Sequence, residues 1–418
     1  MVARGLLKGN RGEWGEAYAF CQLLGSGIVI PTDDGLRVDK TKRLLVISLA
    51  RHETSNCTMT YMLNKSEATV SVSRNGTFER MVPQTDFAEH ADVIFDAIKT
   101  KGGRTFSIPE VEGFLRMVGC NKLKPSDTDK PDIFLEVYDP LTASTQSMKY
   151  SVKCMAGARP SFVNSSGLTY FHYELEGLTE RNFEDIESIP HGRVKQRVEM
   201  CRDRSSNVTY RRLSYNAETF RTNLTRVHPY AEATLGYLIL ESYSVRGKRC
   251  KTVLDRVKHN NPLGLPDSSL YEIAFKQYLW AAFCGMVPSV DWRHEDTVDG
   301  FLLVDVVGDV LSYPIVKRMA FEEHLIDSTY FDTPSTASNR ITCHTGDLYE
   351  EDGHYFLQLN LLIKYDANEA QRITGLRFAA SHDMDEKPAA DIGLRDDSGN
   401  RVSGANDADG NVIYFGYR

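Results

Sequence analysis

Pro131-Asp-Ile-Phe-Leu-Glu-Val-Tyr138 and Met148-Lys-Tyr-Ser-Val-Lys-Cys154, joined by Asp139-Pro-Leu-Thr-Ala-Ser-Thr-Gln-Ser147, decide how this chain folds. Both flanks are short runs rich in β-branched and aromatic residues, which suit a pleated, half-buried surface. The Asp, Pro, Ser and Thr between them favour a turn. The stretch therefore reads as two strands of a hairpin, with Pro131-Asp132 opening the first strand and Ser151-Val152-Lys153 near the end of the second. A hairpin brings Asp132 and Lys153 together across the pair.

Outward from this hairpin, helix and strand patterns alternate. From Gly12 to Leu24, Trp14, Ala17, Tyr18, Phe20, Cys21 and Leu24 fall on a helical stripe, with Glu13 and Glu16 three apart. Gly27–Pro31, Arg43–Ser48 and Ala68–Ser73 read as strands, and Ala88–Lys101 and Pro109–Val118 as helices. A polar loop runs from Asn121 to Lys130. Long helical patterns follow at Ala217–Thr225, Tyr230–Val245 and Leu270–Cys284, where Tyr271, Phe275, Tyr278, Trp280 and Phe283 read as core. Strand signals return at Phe301–Val306, Tyr355–Tyr365 and Asn411–Phe415. The expected class is α/β: a mixed sheet flanked by helices, with an additional largely helical region. The expected divisions are a core over 1–190 with an insertion near 37–130, a mainly helical support region over 191–345, a strand region over 346–382 and a loose segment over 383–418.

Composition bounds this reading. At 418 residues the chain has a prior of about two to three domains, and 41% hydrophobic with 25% charged residues is the balance of a folded soluble protein. Eight cysteines are scattered singly without zinc-ligand spacing, so they read as small core residues in a reducing cytoplasm. The first residues lack an apolar run followed by a small-residue cleavage site, and no run of about 18 apolar residues occurs, so a soluble protein is expected. The net charge of 49 − 57 = −8 opposes a nucleic-acid partner only weakly, because binding needs a local basic strip. One such strip holds Arg193, Lys195, Arg197, Arg202, Arg204, Arg211 and Arg212. It is either a solvated face or one that tracks phosphates.

A carboxylate and a lysine on adjoining strands suit a metal-dependent nuclease. The carboxylate holds a divalent cation against the scissile phosphate, and the lysine orients the attacking water and offsets developing negative charge. Mg2+ keeps several waters, so one or two protein carboxylates suffice. Glu13 or Glu16 supplies a second, with Glu16 preferred because it lies one turn deeper in the apolar stripe. The alternative is a loop Asp beside an edge-strand Lys. Ser151 stands where an acid would complete an Asp/Glu-x-Lys triplet.

Several segments carry a resemblance in order: Gly9-Asn-Arg-Gly-Glu-Trp-Gly-Glu-Ala-Tyr-Ala-Phe20, then Tyr150-Ser-Val-Lys-Cys-Met-Ala-Gly157, Pro160-Ser-Phe-Val-Asn-Ser165 and Thr169-Tyr-Phe-His-Tyr-Glu174. Asn261-Pro-Leu263, Thr333-Pro-Ser-Thr336 and Gly353–Lys364 follow. Together they resemble the HpaII-type restriction endonucleases over roughly residues 9 to 365. The resemblance implies a PD-(D/E)XK-type nuclease that cuts double-stranded DNA at a short sequence with Mg2+; the family name is associated with CCGG. It assigns the acid to Asp132, the lysine to Lys153 and the helix glutamates to Glu13 and Glu16. Ser151 matches the family's own serine, so the missing acid does not imply inactivity.

Arg159, Asn164 and Ser165 follow the second strand in a loop able to approach DNA, and Arg202, Arg204 and Arg340 join them as candidate contacts; loop capping is the bland reading of the first three. His172 reads as a core histidine. The leading expectation is the restriction half of a restriction and modification pair, with a cognate DNA methyltransferase as genetic partner. The rival is a DNA-binding protein on a decayed nuclease fold. A homodimer and a monomer that nicks each strand in turn both fit a two-fold symmetric site.

Overall fold

Alternation of buried and half-exposed residues organises the main sheet. The computed structural model describes residues 6–33, 36–103, 105–123, 131–156, 159–293, 297–334, 345–366, 404–406 and 412–414. Within Met1–Leu376, one compact unit, nine strands lie in the order Ile28–Pro31, Val310–Pro314, Gly300–Val304, Ser144–Cys154, Ile133–Asp139, Leu44–Thr54, Cys57–Asn64, Thr69–Arg74 and Thr77–Pro83. The sheet is mixed. Gly300–Val304 runs parallel to Ser144–Cys154, and Ile28–Pro31 parallel to Val310–Pro314, while Ile133–Asp139 is antiparallel to both its neighbours. Ile28 and Val29 also pair with Leu45 and Leu44, bringing the first strand back to the sixth.

One face of this sheet packs on the first helix, Arg11–Ser26. Ile133, Leu135, Val137, Tyr150, Val152, Cys154, Leu302 and Val304 all enter that core, together with the helix Gln84–Thr100. The opposite face of Gly300–Val304 and Val310–Pro314 enters a second core through Phe301, Leu303, Leu311 and Tyr313. Gly300–Val304 is thus buried on both sides, which explains its unbroken apolar run.

The second core belongs to the helical region: Val194–Arg204, Glu218–Val227, Ala231–Ser242, Cys250–Asn260 and Ser269–Cys284. The aromatics of the last helix are buried, as its periodicity implied. Three smaller antiparallel sheets are described in the unit. One has the order Asn207–Leu213, Tyr170–Glu176, His354–Asn360, Leu348–Glu351, another Ser161–Val163, Ile363–Tyr365, Thr329–Phe331, and the third pairs Lys8–Gly9 with Phe106–Ser107.

Within the described part of 37–130, Leu44–Thr54 pairs directly with Ile133–Asp139, and Cys57–Asn64 and Thr77–Pro83 are further strands of the same sheet. Two local expectations change. The run Tyr355–Tyr365 divides at Leu361 into strands of two different sheets. The hairpin is tighter than expected, because Asp139 already pairs with Ser144. Arg377–Arg418 forms a separate unit, whose described part is an antiparallel pairing of Gly404–Asn406 with Val412–Tyr414. Residues 383–403 and Arg340 lie outside the described residues.

No described helix is long and apolar enough to cross a membrane. The seven described cysteines are free, and all but Cys57 are buried.

Candidate active site

The first helix begins at a capping box. Asn10 accepts from the backbone N–H groups of Gly12 and Glu13, and the Glu13 carboxylate accepts from Asn10 N–H at 2.8 Å. Glu13 is therefore occupied in holding the helix start. One turn on, Gly15 presses against the strand Ser144–Cys154: a Cβ there would lie 2.3 Å from the Cys154 Cβ. That close approach carries Glu16 into electrostatic range of the hairpin.

Asp132 is fixed from both ends. Its N–H donates to the Tyr150 carbonyl at 2.8 Å, and its Oδ2 accepts from Val152 N–H at 2.7 Å. Ile133 pairs with Tyr150, and Asp132 stands just before this ladder, bound to Tyr150 and Val152 on either side of Ser151, with Lys153 next along that strand. The structure thus brings Asp132 and Lys153 together across the hairpin. Ser151 is buried and pairs with Phe301 of the central strand.

Glu16 joins this pair. Burial, and next the charge of Asp132, raise its carboxyl well above the usual range, while Arg51 and Lys153 pull it down. Its Oε2 is buried without a hydrogen-bond partner among the described residues. A buried, unpartnered carboxylate oxygen beside a second carboxylate is costly unless a cation completes it. Among the described residues no group of three or more His, Cys, Asp and Glu forms a closed metal cage. Two carboxylates nevertheless fit Mg2+, which keeps most of its own water and wants hard oxygen ligands.

Sequence reasoning missed Arg51. It lies 1% exposed on the strand Leu44–Thr54 and donates to the Cys120 Sγ at 3.0 Å and to the Leu123 carbonyl at 3.1 Å. Glu53 faces it at 3.7 Å and accepts from Asn121 N–H at 3.0 Å. Arg51 therefore clamps the chain that leads towards Pro131-Asp132. No pattern in one strand announces a buried guanidinium.

The candidate DNA contacts are dispersed. Arg159 pairs with the buried Asp366 at 3.0 Å over the Tyr330 ring. Asn164 is exposed and Ser165 half-buried. Arg202 donates to Ser244, the Leu240 carbonyl and Glu241, whereas Arg204 is exposed with no ion pair among the described residues. Most of the basic strip is internally paired: Arg197 is fully buried against Glu187 and the Gly346 carbonyl, Arg211 meets Glu174 and Glu176, Arg212 meets Glu351, and Lys195 meets Glu199. His172 is a satisfied histidine between Ser214 and the Tyr349 hydroxyl, and burial lowers its pKa to about 4.

No solved structure matches this chain. One relative, the type II restriction enzyme HpaII of Haemophilus parainfluenzae, is 29% identical over 363 residues, which cover 85% of this chain and 98% of the relative. The HpaII restriction endonuclease family matches residues 10–365, a span that includes the first helix, the hairpin and the helical region. The chain belongs to the HpaII restriction endonuclease family.

Proposed function

We propose that this chain hydrolyses phosphodiester bonds of double-stranded DNA at a short recognition sequence with Mg2+, on a restriction-endonuclease-like core, as the partner of a cognate DNA methyltransferase. The observation that carries this reading is the unpartnered, buried Glu16 Oε2 beside Asp132 and Lys153. Asp132 and Glu16 would hold the cation, and Glu13 stays with the helix cap. Bound Mg2+ supplies Lewis-acid polarisation of the scissile phosphate and neutralises charge.

The protein's own groups do the rest. The backbone N–H of Val152 holds one oxygen of Asp132 and sets the carboxylate's direction before substrate arrives. Lys153, carried on the neighbouring strand, would orient the attacking water and donate to a phosphate oxygen as negative charge develops. Ser151 brings no charge, so the acid that its position lacks is supplied by Glu16 from the helix.

The test is incubation of mixed-sequence plasmid DNA with the protein and Mg2+, followed by sequencing of the fragment ends. Discrete ends at one short sequence are expected. Retained DNA binding without cleavage would instead mark a decayed nuclease.

A further inference from the structure

Ser151 and Lys153 sit at a step in the outer face of the main sheet, with Asp132 bound to the backbone on either side of Ser151. On one side of the step, Phe301, Leu303 and Tyr313 are covered by the helical region. On the other side, the same face of the next five strands is half-exposed to exposed. A cross-strand row leads away from Lys149, one residue per strand: Phe134, Ala50, Thr60, Ser73 and Phe78. Every member is half-exposed or exposed. Met62 and Met81, 56% and 43% exposed, stand in the row beside it.

We infer that this open half-sheet is the seat of the DNA duplex, with the helical region as the wall beside it. The inference rests on the proposed function, because it places the scissile phosphate at Asp132 and Lys153. Strands lie about 4.8 Å apart, so the five steps from Ser144–Cys154 to the edge strand Thr77–Pro83 span about 24 Å, roughly seven base-pair rises. DNA held at the step therefore has the length of this face beneath it.

The chemistry of the face suits a sugar-phosphate backbone. The hydroxyls of Thr60 and Ser73 are donors for phosphate oxygens, and Phe78 and Met81 offer apolar contact to deoxyribose. The carboxylate in these two rows, Glu136, is held by the Ser48 hydroxyl at 2.9 Å. Lys149 pairs across from Phe134 on the same face, exposed and without an ion pair among the described residues. It supplies a cation next to Asp132, in contrast to the strip Arg193–Arg212, most of whose cations already have carboxylates.

The experiment measures binding of a short mixed-sequence duplex over a salt series without divalent metal, so that cleavage plays no part. Wild type is compared with Thr60→Glu, Thr60→Lys and Ser73→Glu, all outward-facing changes whose folding is checked by thermal melting. Thr60→Glu and Ser73→Glu are expected to weaken binding at least tenfold at low salt. Thr60→Lys is expected to steepen the log-log salt dependence by about 0.9, the effect of one added phosphate contact. Wild-type affinity and slope in all three variants would overturn the inference. So would a Glu variant that changes the sedimenting mass and leaves DNA affinity intact, since the face would then join two copies of the chain. A wild type that binds but never cuts defeats the proposed nuclease, whereas a flat variant series in a protein that cuts defeats only the seat.

Discussion

Glu13 and Glu16 lie one helical turn apart and have opposite surroundings. Glu13 is tied to the Asn10 backbone, while Glu16 is half-buried with one buried oxygen that has no hydrogen-bond partner among the described residues. Glu16→Gln is expected to lower cleavage by at least 100-fold at all Mg2+ concentrations, in line with losing a preorganised charged group. Glu13→Gln should cost about 1 kcal/mol of stability through the weakened cap and leave the cleavage rate within a few-fold of wild type. Cleavage rates over a Mg2+ series, read beside urea unfolding, separate the two, and the reverse pattern would transfer the metal-side role to Glu13. The deeper position of Glu16 was legible in the apolar stripe. The cap was not, because it depends on how Asn10 turns into the helix. Arg51 was equally hidden, since its partners Cys120, Leu123 and Glu53 meet only when the strand is folded.

At the scale of elements, the site depends on how closely the first helix approaches the strand Ser144–Cys154, and Gly15 sets that distance. Gly15→Ala adds a methyl group where the Cys154 Cβ already stands, so the helix must move away or the core must strain. The expected result is a loss of about 1–3 kcal/mol in stability and at least a tenfold slower cleavage, read by thermal melting and a cleavage time course. Unchanged cleavage would mean that Glu16 does not need this contact. The helix, the hairpin and the helical region were legible because each carries its own period. Thr77–Pro83 was not, because an edge strand with nearly every residue exposed has no buried face to impose alternation. The ion pairs of the basic strip were hidden for a related reason: Glu174, Glu241 and Glu351 reach it from other elements.

At the scale of the whole molecule, the two faces of the sheet define two cores, and buried histidines tie the second to pH. His324 shares a hydrogen bond with the Tyr365 hydroxyl, and burial lowers its pKa from 6.5 to about 4. The unfolded chain therefore takes up this proton first, so stability falls as pH drops from about 6.5 towards 4. His324 should account for about 3 kcal/mol of that loss. Urea midpoints over this range should show a shallower decline for His324→Gln, and an identical decline would remove His324 from the account. The mixed α/β class was legible from alternating patterns, whereas the joining of 37–130 to the main sheet was not, because pairing between distant strands leaves no local signal. The central claim is that Asp132 and Lys153, with Glu16 beside them, form the cleaving site. Single-turnover cleavage of plasmid DNA with Mg2+ by Asp132→Ala and Lys153→Ala tests it most directly. Each variant is predicted to melt within a few degrees of wild type, to bind DNA, and to cut at least 1,000-fold more slowly. Cleavage at the wild-type rate by either one would contradict the account.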